Sequence, residues 1–110
     1  MQNIISLTNF FSENNLKSDD YGNYKFNGKV EFFSNIKNVV EFSEITITMA
    51  GYNGGKISIN EAGELNVEEF HLDFEERFQK YNYENETKEL VVSGKSGKMN
   101  GQYTVRITAV

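Results

Sequence analysis

The sequence predicts a mainly β fold: an antiparallel meander of 6–7 strands that forms a small barrel or sandwich, with a short N-terminal helix. Two observations lead to this prediction. Apolar and polar residues alternate after about residue 22, and turn-forming Asn and Gly residues recur at short intervals. Alternation is typical of half-buried strands, because successive strand side chains point to opposite faces. At 110 residues without cysteine, we expect a single domain, residues 1–110, that folds without disulfides.

The first residues predict a short helix that covers one end or edge of the sheet. Apolar residues recur there at helical spacing, with two more beside that stripe: Ile4, Leu7 and Phe11, then Ile5 and Phe10. Ser6 or Thr8 is the candidate N-cap, because a hydroxyl oxygen can accept a hydrogen bond from an unpaired N–H of the first turn. The pattern fades at residues 14–15.

The first long strand is predicted from four residues of one parity: Tyr24, Phe26, Val30 and Phe32. Asn27-Gly28 interrupts this pattern, so we expect a bulge or a very short hairpin there. In the next run, Val40 and Phe42 have one parity and Ile45 and Ile47 have the other. This parity switch predicts a β-bulge or bend at residues 43–44.

The later strands are predicted from shorter runs. Ile57 and Ile59 follow Asn53-Gly54-Gly55, which is a strong hairpin turn because Asn and Gly tolerate positive φ angles. A further turn is predicted at residues 60–63, and the alternation from Tyr103 to Ala109 predicts the last strand. Gly94-Lys95-Ser96 resembles the end of a phosphate-binding loop, but Glu89 stands where that motif needs glycine. We therefore expect a flexible connection between strands at residues 94–96.

Two periodicities compete over residues 66–83. One set of residues has helical spacing: Val67, Phe70, Phe74, Phe78 and Tyr81. This set supports an alternative α+β fold, with a helix at about residues 67–82 packed on the sheet. Phe70, Leu72 and Phe74 instead alternate with polar residues, as in a strand. Leu72 favours the strand, because a helix would point it away from the Phe side chains.

Charge is distributed unevenly along the chain. Residues 61–89 contain ten carboxylates and three cations, whereas residues 90–110 contain three cations and no acid; the net charge is −5. The electrostatic field of such an acidic segment can steer a basic protein partner, and the negative charge argues against direct binding to nucleic acid. The high Lys and Asn content also indicates an AT-rich bacterial or phage genome.

The candidate partner-binding residues lie in the acidic segment: Glu68, Glu69, His71, Asp73, Glu75 and Glu76. On a strand, residues two apart on one face are separated by about 6.6 Å, which is too far for several of them to share one ion without a second strand. A Ca²⁺ or Zn²⁺ site, or a glycosidase-type carboxylate pair, would need that second strand. The simplest interpretation of these polar residues is a solvated strand face, so we expect no metal site.

These features favour a non-enzymatic protein-binding module, in particular a small acidic inhibitor or immunity-type antagonist of a basic, nucleic-acid-handling target. The alternatives are a structural or assembly protein that pairs through a sheet edge, and a small-ligand-binding β-barrel. With one His, no Cys and no nucleophile motif, we expect no catalytic residues and no cofactor. No apolar run is long enough to span a membrane and no signal peptide is recognisable, so we expect a cytoplasmic protein without a membrane partner.

Overall fold

The computed structural model describes residues 2–49, 55–60, 69–96 and 101–110. Within these ranges the chain forms one helix and seven strands. They are α1 (Gln2–Glu13), β1 (Asn23–Ser34), β2 (Asn38–Thr48), β3 (Lys56–Asn60), β4 (Glu69–His71), β5 (Gln79–Glu84), β6 (Glu89–Ser96) and β7 (Gly101–Ala109). The described strands pair antiparallel in the order β4-β3-β2-β1-β7-β6-β5. The sheet curls into a half-barrel, which confirms the predicted mainly β fold with an N-terminal helix.

Strand β1 lies at the centre of the sheet, between β2 and β7. Its even-numbered side chains from Phe26 to Phe32 are buried, as the alternation predicts. The predicted bulge or hairpin at Asn27-Gly28 is wrong, because the register with β2 runs unbroken through both residues. Close packing accounts for the glycine: a Cβ atom at Gly28 would lie 2.6 Å from Cδ1 of Ile45 and 2.9 Å from the carbonyl oxygen of Thr108.

Strand β2 also pairs with β1 without a break, so the bulge predicted at residues 43–44 is wrong. Ile45 and Ile47 are buried on the concave face, whereas Val40 and Phe42 are exposed on the outer face. The parity switch therefore reflects a change in which face carries the apolar side chains, and the backbone stays regular.

Residues 94–96 belong to strand β6, so the flexible connection predicted there is wrong. Gly94 pairs with Tyr103 of β7, and a Cβ atom at Gly94 would lie 2.8 Å from the Tyr103 hydroxyl. The tyrosine ring thus occupies the space that a side chain at position 94 would need. The turns predicted at Asn53-Gly54 and at residues 61–63 lie outside the described residues.

The strand interpretation of residues 66–83 is confirmed at β4 and β5, and the alternative helix at about 67–82 is wrong over residues 69–82. Residues 67–68 lie outside the described part. Leu72 is buried, and its N–H donates to the carbonyl of Gly55, which extends the pairing of β4 with β3. Phe78, which the helical stripe would have buried, is 74% exposed.

Helix α1 packs across the concave face of the sheet and against the edge of β5. Its buried apolar side chains are Leu7, Phe10 and Phe11. The ring of Phe10 lies 5.6 Å from that of Phe26, and the ring of Phe11 stacks on Tyr24 at 3.7 Å. These contacts place the helix over the concave face, and its hydrogen bonds to β5 place it at one edge of the sheet, as the sequence predicts.

Two polar side chains of α1 bond to the edge of β5. Asn3 accepts from the N–H of Tyr81 at 2.9 Å and donates to the carbonyls of Gln79 and Asp73 at 3.1 and 2.6 Å. The Ser6 hydroxyl donates to the carbonyl of Tyr81 at 3.0 Å. Ser6 and Thr8 lie inside the helix, so the N-cap predicted at one of them is wrong. The helix thereby satisfies both backbone groups of Tyr81 and the carbonyl of Gln79 on the edge of β5 that no strand pairs.

Replacing Asn3 with alanine should lower the free energy of unfolding by about 2–4 kcal/mol, because buried β5 and turn groups lose their hydrogen-bond partner. Urea unfolding followed by circular dichroism measures this change. The matched control is Asn9→Ala, at an exposed position of the same helix, which should stay within about 0.5 kcal/mol of wild type. Equal stabilities of the two variants would contradict the role of Asn3 in satisfying the backbone groups of β5 and of the residues before it.

Replacing Gly28 with alanine should destabilise the protein by about 1–3 kcal/mol, because the new Cβ atom would crowd Ile45 and the backbone of β7. Its control is Asn27→Ala, on the exposed face of the same strand. Thermal unfolding of both variants compares them. If Gly28→Ala were as stable as Asn27→Ala, β1, β2 and β7 could accommodate the extra Cβ atom at no cost, which would contradict the close-packing role of Gly28.

Candidate functional site

The segment of residues 72–78, here called the 72–78 turn, links β4 to β5 and is organised by Asp73. The carboxylate of Asp73 accepts hydrogen bonds from the N–H groups of Glu75 at 3.2 Å, Phe78 at 2.5 Å and Gln79 at 3.3 Å. Such side chain-to-backbone bonds are the usual means by which aspartate stabilises a turn. This predicted partner-binding residue therefore has a structural task inside the molecule.

The other predicted site residues are spread along the edge strand and the turn. His71, Glu75 and Glu76 are exposed, and Glu75 forms an ion pair with Arg77. Glu69 begins strand β4, and Glu68 lies outside the described residues. The binding of a partner by these six residues stays a prediction, although Asp73 and Glu75 already contact groups of this chain.

The 72–78 turn packs on a network of three largely buried polar side chains, Gln79, Tyr81 and Tyr103. The N–H of Asp73 donates to the Tyr81 hydroxyl at 2.9 Å and to Oε1 of Gln79 at 3.0 Å. The Tyr81 hydroxyl donates to the same Oε1 at 2.7 Å, and Nε2 of Gln79 donates to the Tyr103 hydroxyl at 2.6 Å. Burial raises the pKa of both phenols above the usual value, because their ionised forms would lose hydration. Both tyrosines therefore stay neutral hydrogen-bonding groups at ordinary pH.

A groove of about 550 Å³, here called the basic groove, lies beside the turn, where the start of β5, the end of β6 and the start of β7 are neighbours. It is lined by Glu76, Arg77, Phe78, Gln79, Lys80, Ser93, Gly94, Lys95, Gln102, Tyr103 and Thr104. Lys80, Ser93, Lys95, Gln102 and Thr104 are at strand positions opposite in parity to the core residues, so they belong to the outer face.

The basic groove has the opposite charge to the chain as a whole. Among the described residues, Arg77, Lys80 and Lys95 line it together with the acid Glu76, whereas the net charge of the protein is −5. The exposed ring of Phe78 forms part of its wall. Sequence reasoning missed this groove because two of the cations were counted within the acidic segment and the third was assigned to a loop. Strand pairing brings them together.

A second surface, here called the hairpin patch, lies on the β1–β2 hairpin and consists of four apolar side chains. The exposed fractions are 38% for Phe33, 60% for Ile36, 54% for Val40 and 72% for Phe42. Val40 and Phe42 are neighbours on the outer face of β2, and the register places Phe33 diagonally across from Val40. The sequence contains a signal for this patch, because Val40 and Phe42 differ in parity from the buried Ile45. That switch in parity also predicts a bulge, which the structure does not have.

Comparisons of the chain with protein-family models, curated proteins and solved structures give no match. Within the described residues, no helix is long and apolar enough to cross a membrane. The same part of the chain contains no group of three or more His, Cys, Asp or Glu side chains that could hold a metal ion.

Replacing Tyr81 with phenylalanine should lower the free energy of unfolding at pH 7 by about 1–2 kcal/mol, because two hydrogen bonds of the network are lost. The raised pKa also predicts a pH effect. Stability from this group is fully present below the unfolded tyrosine pKa of about 10 and is lost as the pH rises above it. Above about pH 10, wild-type stability should therefore fall more steeply than that of Tyr81→Phe.

Urea unfolding between neutral pH and about pH 11 measures both effects. Tyr21→Phe, at an exposed tyrosine, is the control for the loss at neutral pH and should match wild type there. Parallel pH profiles for wild type and Tyr81→Phe would contradict the raised pKa of Tyr81.

Proposed function

We propose that this chain is a non-enzymatic protein-binding module that presents the hairpin patch to a basic protein. The observation that carries the proposal is the exposure of three large apolar side chains, Phe33, Val40 and Phe42, at neighbouring positions of the outer face. Ile36 is exposed in the turn of the same hairpin, and α1 covers the concave face of the sheet. Single exposed apolar residues are common on protein surfaces, but a contiguous group is typical of an interface.

The shape of the surface favours a protein over a small molecule. The hairpin patch lies on the outer face of a curled sheet, so it protrudes and does not enclose a ligand. Phe33 and Phe42 supply aromatic rings of the kind that dominate the energetics of protein interfaces. Lys29 and Glu31, which form an ion pair at 3.1 Å, lie on the same outer face of β1 and supply a polar rim.

The charge of the chain favours a basic partner. A net charge of −5 attracts a cationic protein at long range, and apolar contacts then hold the complex. An acidic inhibitor or immunity-type antagonist of a nucleic-acid-handling protein would have these properties, and we include that role and a cytoplasmic location in the proposal. Exposed Glu76 and the other predicted acidic residues would contribute to steering more than to contact.

The two alternative functions receive less support from the described residues. Assembly through a sheet edge needs a free strand edge, and α1 bonds to the edge of β5 at Tyr81 while the described part of β4 comprises three residues. A ligand inside the half-barrel would compete with Leu7, Phe10 and Phe11, which fill the space over the concave face.

The test places a photo-crosslinking benzoylphenylalanine at Phe42 and, as a control, at the equally exposed Tyr21. Irradiation in a lysate of the source cells should join one basic protein to position 42 and not to position 21. That protein is then identified by mass, purified and titrated calorimetrically. Val40→Thr with Phe42→Thr should weaken binding at least about tenfold, because an interface anchor is lost, whereas Tyr21→Thr should not.

The stability of each variant is measured in parallel, and it should change little because Val40, Phe42 and Tyr21 are exposed. A crosslink between two copies of this chain would replace the proposal with self-assembly. Identical affinities of wild type and the double variant for the purified partner would exclude the hairpin patch as its binding surface.

A further inference from the structure

The basic groove has three properties that protein binding by the hairpin patch does not explain. Cationic side chains approach it from the turn and from two strands, through Arg77, Lys80 and Lys95. An aromatic ring, Phe78, is exposed beside them. Its volume of about 550 Å³ lies within the range of small-molecule sites.

The polar residues of the groove suit an oxyanion. Ser93 and Thr104 present hydroxyl groups on the outer face of adjacent strands, and Gln102 adds an amide. Hydroxyl and amide groups donate hydrogen bonds to phosphate oxygens, and Lys80 and Lys95 supply two positive charges for the charge of close to −2 that a phosphate monoester carries, since Arg77 is already paired with Glu75. Among the described residues, Glu76 is in the lining and Glu75 pairs with Arg77, so the three cations leave the groove a net positive charge of one.

The backbone that carries the Phe78 ring is fixed in the free protein. The N–H of Phe78 donates to the carboxylate of Asp73, which fixes the end of the turn. The carbonyl oxygen of Phe78 lies 3.1 Å from the point that a Cβ atom at Gly94 would occupy. The absence of a side chain at Gly94 therefore lets the turn approach β6 closely. An exposed ring on such a fixed backbone can contact a planar group at little entropic cost.

We propose that the basic groove binds a small phosphate monoester whose phosphate is attached to a planar ring. The phosphate contacts the cations and hydroxyl groups, and the ring packs against Phe78. This inference is independent of the proposed function, because it concerns a different surface and a different kind of ligand.

Phenyl phosphate, inorganic phosphate, phenol and benzoate are the probes, each titrated into ¹⁵N-labelled protein at low salt and followed by NMR. Phenyl phosphate should give saturable shifts at Phe78, Lys80, Gly94 and Lys95, with a Kd of about 1 mM or tighter. Inorganic phosphate and phenol should bind at least about tenfold more weakly, because each offers only half of the ligand. Added salt should weaken phenyl phosphate binding.

Variants at exposed groove residues test the assignment without disturbing the core. Lys80→Gln combined with Lys95→Gln should weaken phenyl phosphate binding about tenfold, and Phe78→Ser should weaken it several-fold. The matched controls are Lys17→Gln, an exposed lysine after α1, and Phe42→Thr in the hairpin patch. Both should bind as wild type does.

Several results would overturn the proposal. They are the absence of saturable shifts, shifts that map outside the groove, and groove variants that bind as tightly as the controls. Benzoate binding as tight as that of phenyl phosphate would overturn the assignment of a phosphate group. Loss of binding in Phe42→Thr would place the ligand on the hairpin patch, which would also overturn it.

Discussion

The structure depends on how the free edge of β5 is satisfied. Strand β5 pairs with β6 on one side only, and its other edge faces helix α1. Leaving buried N–H and carbonyl groups unpaired there would cost about 1–3 kcal/mol each. Asn3 and Ser6 pair with the groups of Tyr81, and Asn3 also reaches Gln79 and Asp73. These bonds set the position of the helix, and with it the apolar side chains that fill the half-barrel.

The same bonds reach the surface through the 72–78 turn. Asn3 holds the carbonyl of Asp73, and the carboxylate of Asp73 holds the N–H of Phe78. Below the turn, Gln79 connects the hydroxyls of Tyr81 and Tyr103. The basic groove is therefore built on a backbone that is fixed from the N-terminal helix outward. A rigid scaffold of this kind can position surface side chains for binding without a large ordering cost.

Sequence periodicity predicts which residues form strands, but it does not say what covers each face. It predicted β1 and β7 because one face of each strand is apolar and buried. At Val40 and Phe42 the apolar residues lie on the opposite face, and the alternation by itself predicts a bulge there. Gly28 and Gly94 were assigned to breaks because their close contacts involve neighbouring strands that are distant in sequence. Asp73 was predicted to bind a partner because its role in the turn depends on backbone geometry, which residue type alone does not reveal.

Net charge and local charge act over different distances here. At physiological salt the Debye length is about 8 Å, so the groove cations act on a ligand in the groove largely independently of more distant acids. The net charge of −5 acts during the approach of a large partner. The two surfaces meet where Phe33 of the hairpin patch pairs with Thr104 of the groove. A ligand and a protein bound at both surfaces would be about one strand spacing apart at that point. Any effect of one on the affinity of the other must then be reciprocal, because the coupling free energy belongs to the pair.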